Sequence, residues 1–219
     1  MFIELPDLTL HYKASGQGSP IVLLHGNGED CSIFDELSEK LSSSFAVYAL
    51  DSRCHGLSQA TATISYSAMS GDLRSFITRL ELQPVNVVGF SDGAVISLLL
   101  AMDHPELIRR MALLGPNLDV DDFIPEIKAD LEEEYAANRS PLIKLMLDEP
   151  HISSEEVRQI KIPSLVVGGE NDLFKPGTFE TIAAALVDSR LMVLKDHDHM
   201  SYIVHNDLLY PELADFFKC

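Results

Sequence analysis

Short apolar segments alternate with amphipathic segments along most of the chain. Continuous apolar runs occur at 21–25, 45–50, 85–90, 110–115, 162–169 and 189–195. Runs of this length bounded by turn residues are typical of strands buried on both faces of a sheet. Apolar residues at helical spacing fall at 32–41, 65–80, 92–103, 177–187 and 204–218. The alternation predicts an α/β fold with a mostly parallel central sheet and helices on both faces.

Two segments depart from this alternation. Residues 2–5 and 8–15 predict a β-hairpin at the start of the chain. Residues 117–161 lack a strand pattern and predict two helices divided at Ser140-Pro141, followed by a short capped helix. We interpret 117–161 as a small helical cap inserted into a single domain of residues 1–219.

Composition narrows the classes of function. The chain has 219 residues, 46% of them hydrophobic and 23% charged, which suits one folded domain. Its formal net charge of −18 disfavours nucleic acids and anionic membranes as partners. No apolar run approaches the ~20 residues that a membrane span needs, and the first residues lack a signal pattern. We therefore expect a cytoplasmic protein that acts on a small molecule.

The three cysteines, Cys31, Cys54 and Cys219, are far apart and form no C-x-x-C pair. This spacing argues against a disulfide framework and against a structural zinc site, so we expect reduced thiols.

Polar clusters follow the predicted strands one after another. They are HGNG, DSRCHGLS, GFSDG, GGEND and DHDHMS. In an open parallel sheet the loops at the carboxyl ends of the strands gather at one edge, where ligands bind. The clusters therefore predict a functional site at that edge.

The segment GFSDG lies at a predicted strand-to-helix junction. It matches the G-x-S-x-G pattern, in which a sharp turn exposes a serine and the glycines avoid clashes with the strand and the helix. Ser91 could equally be a helix N-cap, which is a common use of serine. The pentapeptide alone leaves both interpretations open.

Two further residues favour the nucleophile. A serine hydroxyl needs a base, an orienting acid and donors for the oxyanion. Asp172 follows a buried strand and a Gly-Gly pair, and His199 follows the next strand. The chain order serine, aspartate, histidine is the order of one class of serine hydrolase.

With these motifs the chain resembles the α/β-hydrolase family over nearly its whole length. The resemblance rests on GQGSPIVLLHGNG, DSRCHGLS, VNVVGFSDGA, IKIPSLVVGGENDLF and LMVLKDHDHMSY. It implies Ser91 as nucleophile, Asp172 as acid and His199 as base, with the backbone N–H groups of Asn27 and Asp92 as the oxyanion hole. It also implies that residues 117–161 are the family's cap, in a short form, and that no cofactor is needed.

The chain departs from the family pattern at three places. Cys54 stands where the family often has glycine; we interpret it as filling space in a loop where Asp51 and Arg53 can pair, with a redox-sensitive thiol as the alternative. His197 lies two residues before His199, but no further ligands accompany this pair, so we expect no metal site. Asp92 follows the nucleophile; it is a charge that favours the helix terminus, a subsite for a substrate amine, or a charge whose field keeps His199 protonatable.

The acid also has rivals, because some family members take it from the loop after an earlier strand. The candidates at that place are Asp119, Asp121 and Asp122. The Gly-Gly-x-x-Asp context favours Asp172.

The expected reaction is hydrolysis of an ester, thioester or amide through an acyl-enzyme, with a carboxylesterase as the preferred class. A cofactor-free lyase or C–C hydrolase with the same residues, and a non-catalytic binding protein, remain open. Substrate identity does not follow from the fold class. Candidate apolar walls of the pocket are Phe34, Phe90, Phe123 and Met146.

Overall fold

A computed structural model describes residues 1–218 of the protein. Within these residues eight strands form one sheet: β1 (Phe2–Glu4), β2 (Thr9–Ser15), β3 (Ser19–Leu24), β4 (Phe45–Leu50), β5 (Val85–Phe90), β6 (Ile108–Leu114), β7 (Ser164–Asn171) and β8 (Ser189–Asp198). Their order across the sheet is β1-β2-β4-β3-β5-β6-β7-β8. The pairs β1–β2 and β2–β4 are antiparallel and all other neighbours are parallel. The predicted α/β fold is confirmed, including the N-terminal hairpin.

Eight α-helices accompany these strands in the described part of the chain: α1 (Asp35–Leu41), α2 (Tyr66–Arg79), α3 (Asp92–Asp103), α4 (Pro125–Asn138), α5 (Pro141–Asp148), α6 (Ser154–Val157), α7 (Thr178–Ala185) and α8 (Tyr210–Lys218). The helix expected at 204–218 begins later, at Tyr210. The Asn206 side chain bonds the backbone at Leu208 and at Ser201, which holds a turn in place of the first helical residues. Across residues 1–218, no helix is both long and apolar enough to cross a membrane.

Side chains of the parallel strands alternate between two cores. Val22 and Leu24 of β3 pack on one face with α2, α3 and α7, whereas Ile21 and Leu23 pack on the other face with α1 and α8. Both faces are covered, because an uncovered face of a parallel sheet would leave its apolar side chains in water. The sheet edge at the carboxyl ends of the strands is left for the loops that carry the polar clusters.

The inserted segment between β6 and β7 is helical, as its sequence predicts. Pro141 is the first residue of α5, and Ser153 and Glu156 form the expected capping box at α6. The helix α4 buries none of its residues. The helix α5 buries Ile143 and Leu145. The helix α5 is thus the better-packed part of the segment, and both helices contribute residues to one cavity with the strand-end loops. That the segment is a cap on a single domain stays a prediction.

The loop after β4 corrects one expectation, because Arg53 does not pair with Asp51. Its guanidinium makes two hydrogen bonds of 2.7 Å to the Asp72 carboxylate on α2. Asp51 instead accepts hydrogen bonds from the backbone N–H groups of Cys31 and Leu57 and lies 2.8 Å from His11 Nδ1. Asp51 is therefore already saturated, and the guanidinium reaches a second carboxylate on a neighbouring helix.

Cys54 occupies a backbone conformation that favours glycine, with a φ of 64°. Its sulfur accepts a hydrogen bond of 3.3 Å from the backbone N–H of Thr61. Cys54 and Cys31 are free thiols, and Cys219 lies outside the described residues. A cysteine in place of the family's glycine thus preserves the turn and adds a contact to the loop.

Candidate active site

Ser91 lies in a strained turn between β5 and α3. Its φ of 52° and ψ of −115° fall outside the regions that side chains other than glycine usually adopt. Its backbone N–H donates to Leu114 O on β6 at 2.8 Å, which fixes the turn against the sheet. The Ser91 side chain makes no capping hydrogen bond to α3. The simple N-cap alternative therefore lacks the contact on which it depends.

The two glycines of the turn are required by close approach. A Cβ on Gly89 would collide with the backbone of Gly93, and a Cβ on Gly93 would collide with Leu24 on β3. The strand and the helix can meet at this angle only without those side chains. The glycines of the G-x-S-x-G pattern therefore avoid clashes with the strand and the helix, as we expected.

His199 and Asp172 are in direct contact. His199 Nδ1 lies 2.7 Å from Asp172 Oδ1, and their side chains are 10% and 2% exposed. Asp172 also accepts hydrogen bonds from the backbone N–H groups of Gly169 and Leu173. With Nδ1 bound to the carboxylate, Nε2 is the ring nitrogen left for a substrate or a nucleophile.

Aromatic rings and a glycine set the position of the imidazole. The rings of Phe90 and Phe174 lie 4.9 and 5.5 Å from it, centre to centre. Gly115 has a φ of 57°, and a Cβ there would lie 2.6 Å from His199 Cε1. The histidine is therefore packed on several sides and has little rotational freedom.

The rival residues make other contacts. Asp119 lies 2.9 Å from His151 Nδ1, and Asp121 pairs with Lys128 on α4. Asp122 accepts hydrogen bonds from the backbone N–H groups of Leu118 and Asp119. His197 is bonded to the hydroxyl of Ser201. Of the candidates that the sequence offers, the structure brings together His199 and Asp172.

A cavity of about 220 Å³ lies between the sheet edge and the cap. Ser91, His199, Asn27 and Asp92 all line it. Its apolar wall comes from both sides: Phe90, Phe123, Ile127, Leu131, Met146, Leu173, Phe174 and Met200. A more open groove of about 550 Å³ lies elsewhere, beside Arg74 and Arg79, and contains none of these candidate groups. The smaller cavity is therefore the candidate active site.

Three of the four residues that we expected in the pocket wall line the cavity. Phe90, Phe123 and Met146 line the cavity. Phe34 does not; it is fully buried in the core between α1 and the sheet, and this expectation is wrong. The sequence shows that a position is apolar, but it does not show whether that position faces a core or a cavity.

Several lining residues escaped the sequence argument. Phe174 lies only two residues after Asp172, so its position in the GGENDLF motif could have indicated that it lines the cavity. Tyr66 begins α2 and belongs to none of the strand-end motifs. Glu149 follows α5, in a part of the cap that has no recognisable pattern. Contacts of this kind depend on how α2 and the cap pack and carry no local signature.

Asn27 and Asp92 are joined through their side chains. Asn27 Nδ2 donates to Asp92 Oδ2 at 2.9 Å, and the Tyr66 hydroxyl donates to Asp92 Oδ1 at 2.7 Å. Burial raises the pKa of Asp92, while these two hydrogen bonds oppose the rise. Within residues 1–218, the backbone N–H groups of Asn27 and Asp92 donate to no other group. Two residues whose backbone N–H groups have no acceptor among the described residues thus line the cavity that Ser91 also lines.

Glu29 is a further carboxyl group at this cavity. Its Oε2 accepts a hydrogen bond of 3.0 Å from Gly26 N, whereas its Oε1 is buried and finds no partner among the described residues. Burial raises the pKa of Glu29 from 4.5 to about 6. The lining includes three carboxylates, those of Glu29, Asp92 and Glu149, and in the described chain it includes no lysine or arginine.

The described residues contain one group that could ligate a metal, formed by His11, Cys31 and Asp51. Both Asp51 oxygens already accept N–H hydrogen bonds. Burial raises the pKa of the Cys31 thiol far above its usual range, which disfavours the thiolate that would bind a metal. None of the three lines the cavity. The hydrogen bonds among these buried groups indicate that the cluster has a structural role in the core.

Comparison with known proteins decides the family. A family model described as the alpha/beta hydrolase fold matches residues 19–147, more than half of the chain. The chain belongs to the alpha/beta hydrolase fold family.

Solved structures agree with this chain in architecture. An enol-lactonase from Burkholderia xenovorans superposes with a TM-score of 0.83 at 23% identity, covering 100% of both chains. The meta-cleavage product hydrolase CumD from Pseudomonas fluorescens gives a TM-score of 0.80 at 18% identity, covering 100% of this chain and 97% of the other.

Curated relatives of this α/β-hydrolase match over part of their length. The hydrolase YraK of Bacillus subtilis is 29% identical over 150 residues, which cover 66% of this chain and 55% of YraK. The (E)-2-((N-methylformamido)methylene)succinate hydrolase of Acinetobacter baylyi is 34% identical over 114 residues, which cover 49% of this chain and 41% of that enzyme. The matches thus span about half the length of these relatives, and both relatives are named as hydrolases.

Proposed function

We propose that this α/β-hydrolase is a serine hydrolase that cleaves a small ester, or a related thioester or amide, through an acyl-enzyme. One observation carries the proposal: Ser91, on its strained turn, lines the same cavity as a His199 whose Nδ1 is bound to Asp172. This supplies a nucleophile, a base of fixed tautomer and an acid. We further propose a cytoplasmic location and a small-molecule substrate.

Each group has a defined task in the proposed reaction. His199 Nε2 takes the Ser91 hydroxyl proton as the oxygen attacks the carbonyl carbon, and then gives that proton to the leaving group. Asp172 stabilises the imidazolium that forms between these steps. The amides of Asn27 and Asp92 donate to the oxyanion, and loss of one such donor costs ~10² to 10³ in rate. Water then cleaves the acyl-enzyme with His199 again as base.

The charges of the cavity bear on the class of substrate. Glu29, Asp92 and Glu149 line it, and no lysine or arginine of the described residues balances them. At an effective dielectric constant of about 20, two like charges ~10 Å apart repel by roughly 1.7 kcal/mol. We therefore propose neutral or cationic substrates. A succinate derivative, for which the Acinetobacter relative is named, would bring carboxylates to a cavity that offers them no cation.

C–C bond hydrolysis is the second candidate, because a meta-cleavage product hydrolase shares the fold. A lyase or a binding protein built on the same residues would also preserve the cavity. The acidic lining disfavours anionic substrates in each of these cases, whichever bond is broken.

A fluorophosphonate probe tests the central claim. We expect it to label folded wild-type protein at Ser91, and to leave Ser91→Ala, His199→Ala and heat-denatured protein unlabelled. Folded wild-type protein that resists labelling would contradict a working serine hydrolase and favour a binding protein.

Matched esters test the charge argument. The p-nitrophenyl ester of pentanoic acid and the mono-p-nitrophenyl ester of glutaric acid differ at the acyl terminus, which is a methyl group in one and a carboxylate in the other. We expect kcat/KM to be about twentyfold higher for the pentanoate, which is the repulsion of roughly 1.7 kcal/mol expressed as a ratio. Equal or faster hydrolysis of the glutarate ester would refute the proposed preference.

A further inference from the structure

The Asp92 carboxylate connects the two residues that we propose as the oxyanion hole. Its own residue provides one free backbone N–H, and Asn27, bonded to it at 2.9 Å, provides the other. Asn27 belongs to the loop after β3, whereas Asp92 begins α3. The side-chain bond thus joins two segments that are 65 residues apart in sequence.

Tyr66 holds that carboxylate from a third segment. Its hydroxyl donates to Asp92 Oδ1 at 2.7 Å, and the tyrosine is only 2% exposed. A buried carboxylate whose oxygens all accept hydrogen bonds stays in one position. When it loses a donor, its desolvation is no longer compensated, and the carboxylate moves to reach another donor. The position of Asp92 therefore depends on Tyr66.

The same network reaches the cap. Asn27 Nδ2 also donates to Leu142 O on α5, at 3.2 Å. Glu149, the residue that follows α5, accepts a hydrogen bond of 2.9 Å from Tyr66 N. Leu142 and Glu149 of the cap thus form hydrogen bonds with Asn27 and Tyr66, the two residues that bind the Asp92 carboxylate. These bonds connect the cap, α2 and the loop after β3.

We propose that Tyr66 is a positioning residue for the oxyanion hole: its hydroxyl fixes the Asp92 carboxylate, which in turn fixes Asn27. The inference rests on the proposed function, since an oxyanion hole matters only if Ser91 is acylated. It also assigns Asp92 a role different from those that the sequence suggested. Both Asp92 oxygens are engaged by protein groups, so a substrate amine would compete with Tyr66 and Asn27 for them.

The removal of one hydroxyl tests this role. Tyr66→Phe keeps the buried ring, and Asn27→Ala removes the side-chain link but keeps the backbone N–H. Tyr12→Phe is the matched control, because Tyr12 is buried, lies away from the cavity and makes no side-chain hydrogen bond within residues 1–218. For each variant, kcat and KM are measured with p-nitrophenyl pentanoate and the melting temperature is recorded.

We expect Tyr66→Phe to lower kcat about tenfold, less than the ~10² to 10³ lost with a whole donor, and to change KM by less than about twofold. Asn27→Ala should behave in the same way. Because both act through one carboxylate, the double variant should lose little more than the worse single variant, whereas independent structural damage would multiply the two losses. Tyr12→Phe should keep wild-type kcat.

Four results would overturn the inference: an unchanged kcat in Tyr66→Phe, losses that multiply in the double variant, a fall in kcat that Tyr12→Phe shares, or an effect confined to KM. If Tyr66→Phe does not fold, Asn27→Ala decides alone, and an unchanged kcat there refutes the proposal. A wild-type protein that is inactive and unlabelled at Ser91 would instead defeat the proposed function on which this inference rests.

Discussion

Replacing Glu29 with glutamine isolates the energetic cost of one charge at the cavity. Glutamine keeps an oxygen for the Gly26 N–H and loses the charge. The pKa of Glu29 is raised by burial from 4.5 to about 6, so the folded protein holds the proton more tightly than the unfolded chain does. The stabilising effect of this proton is complete below pH 4.5 and is lost as the pH rises through about 6.

The size of the effect follows from this shift. The difference between a pKa of 4.5 and one of about 6, at about 1.36 kcal/mol for each factor of ten in the proton affinity, corresponds to roughly 2 kcal/mol of unfolding free energy when Glu29 is fully ionised. Part of the Glu29 titration lies below pH 5. Between pH 5 and pH 8 we therefore expect the free energy of unfolding of wild type to fall by about 1 kcal/mol more than that of Glu29→Gln. For a chain of this length that is ~2–4 °C in melting temperature. Relative to wild type, Glu29→Gln should therefore gain stability as the pH rises.

Urea denaturation of both proteins at pH 5 and pH 8 measures the difference directly. Comparing the two pH values removes any constant cost of burying the amide. Glu39→Gln on α1 is the matched control, because Glu39 is exposed. A free energy of unfolding of Glu29→Gln, measured relative to wild type, that is the same at pH 5 and pH 8 would refute a raised pKa, as would one that is lower at pH 8 than at pH 5.

Three shorter predictions concern the site and its scaffold. His199→Ala should abolish hydrolysis of p-nitrophenyl pentanoate, while His197→Ala stays near wild-type kcat; the reverse would exchange their roles. Arg53→Met leaves Asp72 buried without its partner and should cost about 3–5 kcal/mol of unfolding free energy by urea denaturation; a cost below about 1 kcal/mol would contradict this. Gly89→Ala should prevent fluorophosphonate labelling by displacing the turn, and normal labelling would show that the turn tolerates the added Cβ.

The sequence predicted the parts of the fold that depend on local patterns. The strands β4 and β5 and the helix α3 have the same bounds as expected, because each is a largely apolar segment with clear turn residues beside it. The helix expected at 204–218 was too long, since Asn206 bonds the backbone and delays its start. Periodicity identifies elements better than it identifies their ends.

The same limit applies to the site. The strand-end motifs were enough to select His199 and Asp172, which the structure finds in contact. They did not reveal that Phe34 faces the core or that Arg53 reaches α2 in preference to its near neighbour Asp51. Nor did they reveal Tyr66. Such contacts arise when distant segments pack together, and no spacing along the chain encodes them.

The exposed helix α4 has a consequence for how the protein can change. It buries no residue, yet Ile127 and Leu131 on its inner side form part of the cavity wall. Substitutions at those two positions would alter the shape of the cavity, while the core against which they pack would lose contacts from only two partly buried side chains. New substrate preferences could therefore arise during evolution, or in directed selection, by mutation of α4 at small cost to folding.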